Sequence, residues 1–309
     1  MQKRPFIFKK LLTEYTQENK LMNIERIDLY EYFGLKREGN RSGYLNACLH
    51  GISKYYPNRV RPAIIVIAGG GYSGICEREG EPIALAYFAK GYNVFTLDYS
   101  CAPSAYPTQL IEGCMAVAFI KDNAERLYVS PEHVAVAGFS AGGHLAAMTA
   151  TLFDEKVVQE LLNGKNLSAR PDAVILGYPV ISSGKFSHSE SIDNLTGGNL
   201  SLYDKVSLEK QVKENSSPAF IWGTVNDDLV PSENAFEYAY ACKKKGVKFE
   251  FHLYEDGRHG LGLANEQTAT PEGRVLNSTI EEYIRPDVST WFEMSVTWLK
   301  NRGFKIVDL

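Results

Sequence analysis

Hydrophobic positions alternate with period two near the start of the chain and then form continuous runs. The segments IERIDLYEYF at 24–33 and GYLNACLHGI at 43–52 alternate apolar and polar residues across a turn-rich connection. This alternation is typical of half-buried strands, so it predicts an antiparallel hairpin. The run AIIVIA at 63–68 is uniformly apolar and too short for a helix, which predicts a strand buried on both faces.

Beyond that run, short apolar segments alternate with longer helical patterns. Further strands are predicted at 93–99, 133–139, 172–180, 218–225 and 248–255. Helices are predicted at 81–91, 109–127, 142–162, 232–246 and 291–303. This rhythm predicts an α/β fold with about eight strands, two antiparallel and six mostly parallel, and with helices on both faces of the sheet.

Two segments interrupt the rhythm, 181–215 and 262–290, which are rich in Ser, Asn, Gly and Thr but also carry aromatic residues. Neither has the composition of a flexible linker, and no internal repeat is visible. We therefore expect a single domain over 1–309, with residues 1–22 as an N-terminal extension. Long excursions in a compact domain are usually functional, so these two are expected to form part of a pocket wall.

Composition and charge narrow the function classes. The chain has 309 residues, of which 44% are hydrophobic and 23% charged, as in ordinary globular enzymes. A net charge of −4 without a basic cluster argues against a nucleic-acid partner. No segment approaches the roughly 20 apolar residues of a membrane span, so a cytoplasmic location and no membrane partner are expected. The five cysteines form no C-x-x-C pair, which favours neither a disulfide framework nor a zinc site.

The sharpest local signal is Gly-Phe-Ser-Ala-Gly, centred on Ser140, between a predicted strand and a predicted helix. A G-x-S-x-G turn in this context holds its serine in a strained conformation that projects the hydroxyl away from the sheet. The helix N-terminus behind it favours the negative charge that develops in acyl transfer. Ser140 is therefore the predicted nucleophile.

A serine hydroxyl needs an imidazole to take its proton, and the imidazole needs an acceptor that fixes its tautomer. Among six histidines, His259 lies in the loop DGRHG directly after the last long strand, at the sheet edge expected for Ser140. Asp227 and Asp228 follow the preceding strand at the same edge, and either can reach the histidine. Structural or surface roles are predicted for the other histidines: His50, His133, His144, His188 and His252.

Backbone N–H groups must meet the oxyanion, and each such donor contributes about 2.7–4 kcal/mol. The N–H of Ala141 is one candidate, and those of Gly70 and Gly71 in the loop AGGGY are two others. Neither G-x-G-x-x-G nor G-x-x-x-x-G-K-[ST] is present, which argues against a nucleotide site. Tyr72 and Cys101 are the predicted pocket-wall residues.

From about residue 60 to its end, the chain resembles bacterial esterases of the α/β-hydrolase superfamily related to acetyl xylan esterases and the hormone-sensitive-lipase-like group. The motifs that carry the resemblance are AGGGY at 68–72, DYSCAPSAYP at 98–107, GFSAGGHLA at 138–146, DDLVP at 227–231 and GRHG at 257–260. The resemblance implies the α/β-hydrolase fold and the order Ser, Asp, His. It also selects Asp227, four residues before the proline, over Asp228. The family's H-G-G-G begins here with Ala68, so an orienting histidine is missing, whereas the Gly70 and Gly71 donors are retained.

The resemblance further implies hydrolysis of small acyl esters, acetyl groups above all, on xylan-derived or other oligosaccharides. The implied reaction passes through an acyl-enzyme and needs no cofactor and no metal. Two alternatives stay open: a serine peptidase like those of the prolyl oligopeptidase group, and a non-catalytic binding protein on the same scaffold. A small ester is the expected partner, and the oligomeric state is open, a homo-oligomer included.

Overall fold

A mostly parallel sheet forms the centre of the computed structural model, which describes residues 22–53, 55–162, 167–269 and 279–308. The strands are β1 Met22–Asp28, β2 Tyr44–His50, β3 Arg59–Ile67, β4 Asn93–Asp98, β5 Val129–Phe139, β6 Ala173–Gly177, β7 Ala219–Thr224, β8 Phe249–Tyr254 and β9 Val307–Asp308. The helices are α1 Leu29–Phe33, α2 Glu81–Ala89, α3 Thr108–Asp122, α4 Ala141–Leu152, α5 Lys156–Leu162, α6 Ser189–Thr196, α7 Tyr203–Val206, α8 Glu233–Lys245 and α9 Pro286–Lys300.

The strand order is β1-β2-β4-β3-β5-β6-β7-β8. Strand β2 pairs antiparallel with both β1 and β4, and every other neighbouring pair along this order is parallel. The predicted eight-stranded sheet with an antiparallel N-terminal hairpin is therefore confirmed. The two-residue β9, which pairs antiparallel with the start of β3, was not predicted.

Both faces of the central strands are covered, which explains their continuous apolar sequences. On β3, Ile65 and Ile67 belong to the core cluster that includes α3 and α4. Ile64 and Val66 point the other way, into the cluster that includes α2 and α9. Each such side chain contributes roughly 1.5–3 kcal/mol when fully buried. The sheet is thus a rigid support for the loops at its carboxyl edge.

The first difference from the sequence prediction lies directly after β1. Residues 29–33, predicted as strand, form the short helix α1. The Asp28 side chain accepts the Glu31 N–H at 3.1 Å, which caps the N-terminus, and Gly34 ends the helix with a φ of 67°. A capped turn of this length has too few apolar positions for its period to be distinguished from that of a strand.

The two predicted excursions contain more regular structure than a loop. Segment 181–215 holds α6, α7 and two 3-10 turns. In segment 262–290, helix α9 already begins at Pro286, a favoured residue for the first helical position. Residues 270–278 and the predicted extension, apart from Met22, lie outside the described residues. Within the described ranges, no helix combines the length and the apolar character that crossing a membrane requires.

Candidate active site

Ser140 occupies the turn between β5 and α4, with φ 54° and ψ −122°. Such a conformation costs on the order of 1–3 kcal/mol and must be held by the surroundings. The Ser140 N–H donates to the Gly177 carbonyl oxygen at 3.1 Å, and the Ser140 carbonyl oxygen accepts the Val180 N–H at 3.1 Å. Strand β6 and the residues after it therefore hold the strained turn in place.

The glycine after this turn is required by a close approach of two elements. A Cβ on Gly142 would lie 2.2 Å from the Ile67 carbonyl oxygen and 2.4 Å from that of Ala68. Helix α4 therefore starts directly against the end of β3. This contact brings the N–H of Ala141 close to the glycine-rich loop that follows β3.

The loop that carries His259 is fixed at both of its ends. The Gly257 N–H donates to Asn226 Oδ1 at 2.8 Å, which ties the loop to the end of β7. The Gly262 N–H donates to the Tyr178 hydroxyl at 2.9 Å, which ties it to the end of β6. The imidazole is thereby held in position over the carboxyl edge of the sheet.

A continuous chain of hydrogen bonds joins the three predicted residues. His259 Nε2 lies 2.8 Å from Ser140 Oγ, and His259 Nδ1 lies 2.8 Å from Asp227 Oδ2. Because the carboxylate accepts the Nδ1 proton, Nε2 carries the lone pair that accepts the serine proton. The other carboxylate oxygen, Asp227 Oδ1, accepts the N–H groups of Leu229 and Val230 at 3.0 and 2.8 Å. Asp227 is therefore oriented before it meets the imidazole.

The neighbouring aspartate has a different environment. Asp228 Oδ1 accepts the backbone N–H of His259 at 3.0 Å, and Oδ2 pairs with the Arg258 guanidinium at 2.9 Å. Its side chain is 45% exposed, whereas that of Asp227 is 2% exposed. The geometry thus places Asp227 at the imidazole and Asp228 at the backbone of the histidine loop.

Opposing effects set the pKa of His259. Burial lowers it, but the negative charge and hydrogen bond of Asp227, with smaller contributions from Glu79 and Asp228, outweigh burial. The net result is a pKa above the ordinary histidine value. The site therefore stabilises the imidazolium that forms when the histidine takes a proton from Ser140.

The predicted oxyanion donors lie around the same serine. Gly70 and Gly71 line a cleft of about 400 Å³ together with Ser140. Gly70 has a φ of 124°, and a Cβ there would lie 2.2 Å from the Gly74 carbonyl oxygen, so only glycine fits. Ala141 is the first residue of α4, where the N–H has no acceptor within the helix.

Most side chains that line the rest of the cleft are polar or charged, and both excursions contribute residues to its wall. The wall consists of Gly70, Gly71, Cys76, Arg78, Glu79, Ser140, His188, Glu190, Asp228, Leu229, Arg258, His259, Gly260 and Tyr283. Among the described residues, no three His, Cys, Asp or Glu side chains are arranged to hold a metal ion. The expectation of a cofactor-free reaction stays a prediction.

Comparison with known proteins gives the family. The BD-FAE family model matches residues 54–240, more than half of the chain. This chain belongs to the BD-FAE family. A solved structure similar to this BD-FAE chain is the acetyl ester-xyloside bifunctional hydrolase from Caldicellulosiruptor lactoaceticus. It is 31% identical with a TM-score of 0.74, and the match covers 91% of this chain and 97% of that one.

Two curated relatives match the BD-FAE chain over part of their length. Endo-1,4-beta-xylanase B from Butyrivibrio fibrisolvens is 37% identical over 213 residues, 67% of this chain and 33% of that protein. The acetylxylan esterase from Xylanibacter ruminicola is 28% identical over 209 residues, 65% of this chain and 41% of that protein. The chain thus spans well under half of either relative. The part of this chain that these proteins match has the α/β-hydrolase fold and belongs to the carboxylester hydrolases, as predicted.

The prediction that Tyr72 and Cys101 line the pocket is wrong for this BD-FAE chain. Tyr72 has a φ of 57°, and its ring lies wholly in the core, where its hydroxyl is 2.9 Å from His144 Nδ1. His144 Nε2 donates to the Val206 carbonyl oxygen at 2.8 Å, so its Nδ1 accepts the tyrosine proton. Cys101 packs against the core, and burial raises the pKa of its thiol to about 11. The glycine-rich loop at 68–72, which carries the predicted donors Gly70 and Gly71, is called the oxyanion loop below. Tyr72 therefore anchors this loop from the core side.

We expect Tyr72→Phe to lower the free energy of unfolding of the BD-FAE chain by about 1–3 kcal/mol, because His144 Nδ1 would stay buried without a donor. Burial lowers the pKa of His144 to about 4, so the ring stays neutral and cannot replace that hydrogen bond with its own proton. Urea unfolding measures the change. Tyr240→Phe, at a tyrosine with 59% exposure, is the control. Equal unfolding midpoints for the two variants would contradict the anchoring role.

Several residues that line the cleft were not predicted from the sequence. His188 was assigned a structural role, yet it lines the cleft and its Nδ1 is 2.8 Å from Ser191 Oγ. Glu79 and Glu190 carried no motif signal, because only the folded chain brings their segments to the serine. Arg258 had a weak signal, since it directly precedes His259 in the GRHG motif.

Proposed function

We propose that the protein is a serine esterase that removes short acyl groups, acetyl above all, from hydroxyls of xylan-derived or other oligosaccharides. The observation that carries this proposal is the hydrogen-bonded series Ser140, His259 and Asp227 at a cleft lined mostly by polar and charged side chains. A nucleophile, a base and an orienting acid in this arrangement have the geometry that acyl transfer requires.

In the first half of the reaction, Ser140 Oγ attacks the ester carbonyl carbon while His259 Nε2 takes the hydroxyl proton. The carbonyl oxygen becomes an oxyanion, which the N–H groups of Gly70, Gly71 and Ala141 meet with preorganised dipoles. The C–O bond to the sugar then breaks, and His259 gives its proton to the departing alcohol. The acyl group remains on Ser140 as an ester.

In the second half, water takes the place of the alcohol. His259 removes a proton from this water as its oxygen attacks the acyl-serine, and the same three N–H groups stabilise the new oxyanion. The bond to Ser140 Oγ breaks, and the serine recovers its proton from His259. Asp227 stabilises the imidazolium in both halves, and the products are a short carboxylic acid and the free hydroxyl.

The character of the cleft supports a polar alcohol and a small acyl group. His188, Glu190 and Arg258 provide hydrogen-bonding groups of the kind that sugar hydroxyls need. In the described wall, Leu229 is the one aliphatic side chain. A long acyl tail gains about 0.8 kcal/mol for each CH₂ group that it buries, and within the described wall only Leu229 offers it an aliphatic side chain.

The names of the relatives favour the same substrate class. One curated relative is an acetylxylan esterase, and the similar solved structure is an acetyl ester-xyloside hydrolase. The xylanase name belongs to a protein of which the chain spans 33%, so glycosidic cleavage is not carried over. Hydrolysis of acetyl esters on xylose-containing oligosaccharides is therefore the substrate hypothesis with the most support.

We expect 4-nitrophenyl acetate to be hydrolysed with a kcat/KM at least about tenfold higher than 4-nitrophenyl octanoate, a difference of about 1.4 kcal/mol in barrier. The butyrate ester should fall between them. Release of acetate from acetylated xylo-oligosaccharides, followed by chromatography, tests the alcohol side of the same proposal. Ser140→Ala provides the blank for every substrate.

Two outcomes would contradict the proposal. A native protein that hydrolyses the octanoate ester fastest would be a lipase-like enzyme with an apolar acyl site elsewhere. A native protein without Ser140-dependent hydrolysis of any ester would favour the two rivals. Prolyl peptide substrates then test the peptidase, and calorimetry with xylo-oligosaccharides tests the binding protein.

A further inference from the structure

A buried carboxylate that the proposed reaction does not use lies beside the serine. Glu79 ends a 3-10 turn, Glu77–Glu79, and is 2% exposed, although it lines the cleft. A charge at such a position is costly unless hydrogen bonds satisfy it. Its Oε2 accepts the Gly69 N–H at 2.9 Å, and its Oε1 accepts the Tyr178 hydroxyl proton at 2.7 Å.

These two bonds lead to the two loops that the reaction needs. Gly69 directly precedes Gly70 in the oxyanion loop. Tyr178 accepts the Gly262 N–H at 2.9 Å, and its ring stands edge-on to the imidazole of His259 with 5.0 Å between centroids. The single carboxylate of Glu79 therefore connects the oxyanion loop with the histidine loop.

The negative charge of Glu79 also acts on the imidazole of His259. The titratable and charged groups that face this environment include Asp227 at Nδ1, Asp228 at the backbone N–H, Tyr178 against the ring and Glu79 across the cleft. The others are the cations Arg78 and Arg258, and Cys76, His188, Glu190 and Tyr283 on the cleft wall. Three of these anions, Asp227, Glu79 and Asp228, raise the pKa of His259. Of the three, Glu79 alone also holds the loop that carries the oxyanion donors.

We propose that Glu79 is a positioning residue for acyl transfer, which holds the oxyanion loop against the histidine loop and stabilises the imidazolium of His259 through its negative charge. This inference rests on the proposed serine-esterase function. One carboxylate thus has two effects. The position of the oxyanion N–H donors depends on the length of the Glu79 side chain, and the proton affinity of His259 depends on its charge.

The two effects have different signatures. The reaction needs neutral His259 in the free enzyme, so activity falls as the pH drops through the pKa of this residue. Removal of a nearby anion makes the imidazolium less stable, which lowers that pKa and moves the acid limb of kcat/KM to lower pH. A lost hydrogen bond at constant charge lowers kcat and leaves the acid limb in place.

The experiment separates charge from reach with two substitutions in the full chain. Glu79→Gln keeps the shape and removes the charge, whereas Glu79→Asp keeps the charge and shortens the side chain. Glu77→Gln, at the exposed first residue of the same 3-10 turn, is the matched control. The readouts are kcat and kcat/KM for 4-nitrophenyl acetate against pH, and an NMR titration of the His259 imidazole assigned with His259→Gln.

For Glu79→Gln we expect a lower His259 pKa, an acid limb at lower pH and a kcat reduced by roughly ten- to a hundredfold. For Glu79→Asp we expect a similar loss of kcat with the His259 titration close to that of the native protein. Glu77→Gln should match the native protein in every readout.

A native His259 titration in Glu79→Gln would overturn the proposed charge effect, and a native kcat in both Glu79 variants would overturn the proposed bridge. If circular dichroism shows that Glu79→Gln does not fold, Glu79→Asp decides alone, and a native kcat in it would overturn the proposed bridge. The NMR titration needs no turnover. A native protein without Ser140-dependent hydrolysis would therefore refute the esterase, while an unchanged His259 titration in Glu79→Gln would still refute the role of Glu79.

Discussion

Ser140→Ala is expected to lower kcat/KM for 4-nitrophenyl acetate by roughly 10⁴- to 10⁶-fold, the range found when the nucleophile of such a site is removed. The alanine has no oxygen to form the acyl-enzyme, so only the oxyanion donors and binding remain. Initial rates measured against a buffer blank give the ratio. An organophosphate should add its mass to the native protein at Ser140 and leave the variant unlabelled.

The variant should fold as the native protein does, because the backbone contacts that hold the turn come from Gly177 and Val180 and not from the serine side chain. The melting temperature checks this. Ser201→Ala, at an exposed serine that is not among the cleft residues, should keep full activity. A Ser140→Ala rate above one per cent of the native rate, with labelling retained, would assign the nucleophile to another residue.

Local rules were sufficient to predict the tight turn at Ser140 and the sheet. Gly142 is required because backbone oxygens lie beside it, and that need is visible in the motif without any knowledge of distant residues. The central strands were equally clear, since burial on both faces makes them continuously apolar. Helix α1 was missed because its caps, Asp28 and Gly34, decide a segment whose period is ambiguous.

The same local rules could not predict tertiary contacts. The ring of Tyr72 turns into the core because of its backbone conformation and its bond to His144, neither of which the motif AGGGY reveals. Glu79 looks like one more acid in a charged turn, and only the fold shows that it is buried against Gly69 and Tyr178. The motif residues could thus be predicted, whereas the residues that support them could not.

Asp227→Asn is expected to lower kcat for 4-nitrophenyl acetate by roughly 10³- to 10⁴-fold with little change in KM, since the loss falls on the transition state. The neutral amide cannot stabilise the imidazolium, and its NH₂ group can donate to Nδ1 and favour the wrong tautomer. The amide oxygen can still accept the N–H groups of Leu229 and Val230, so the fold should persist. The pKa of His259 should fall, which an NMR titration measures.

Asp228→Asn tests the assignment, because the two aspartates are neighbours with the same chemistry. Its carboxylate pairs with Arg258 and with the backbone of His259, and its side chain is half-exposed, so its ion pair contributes no more than about 1 kcal/mol. We expect less than a tenfold loss of kcat. A larger loss in Asp228→Asn than in Asp227→Asn would mean that the imidazole turns to the other carboxylate during catalysis. Similar small losses in both would mean that His259 takes its proton without an aspartate, and the proposed mechanism would lose its orienting acid.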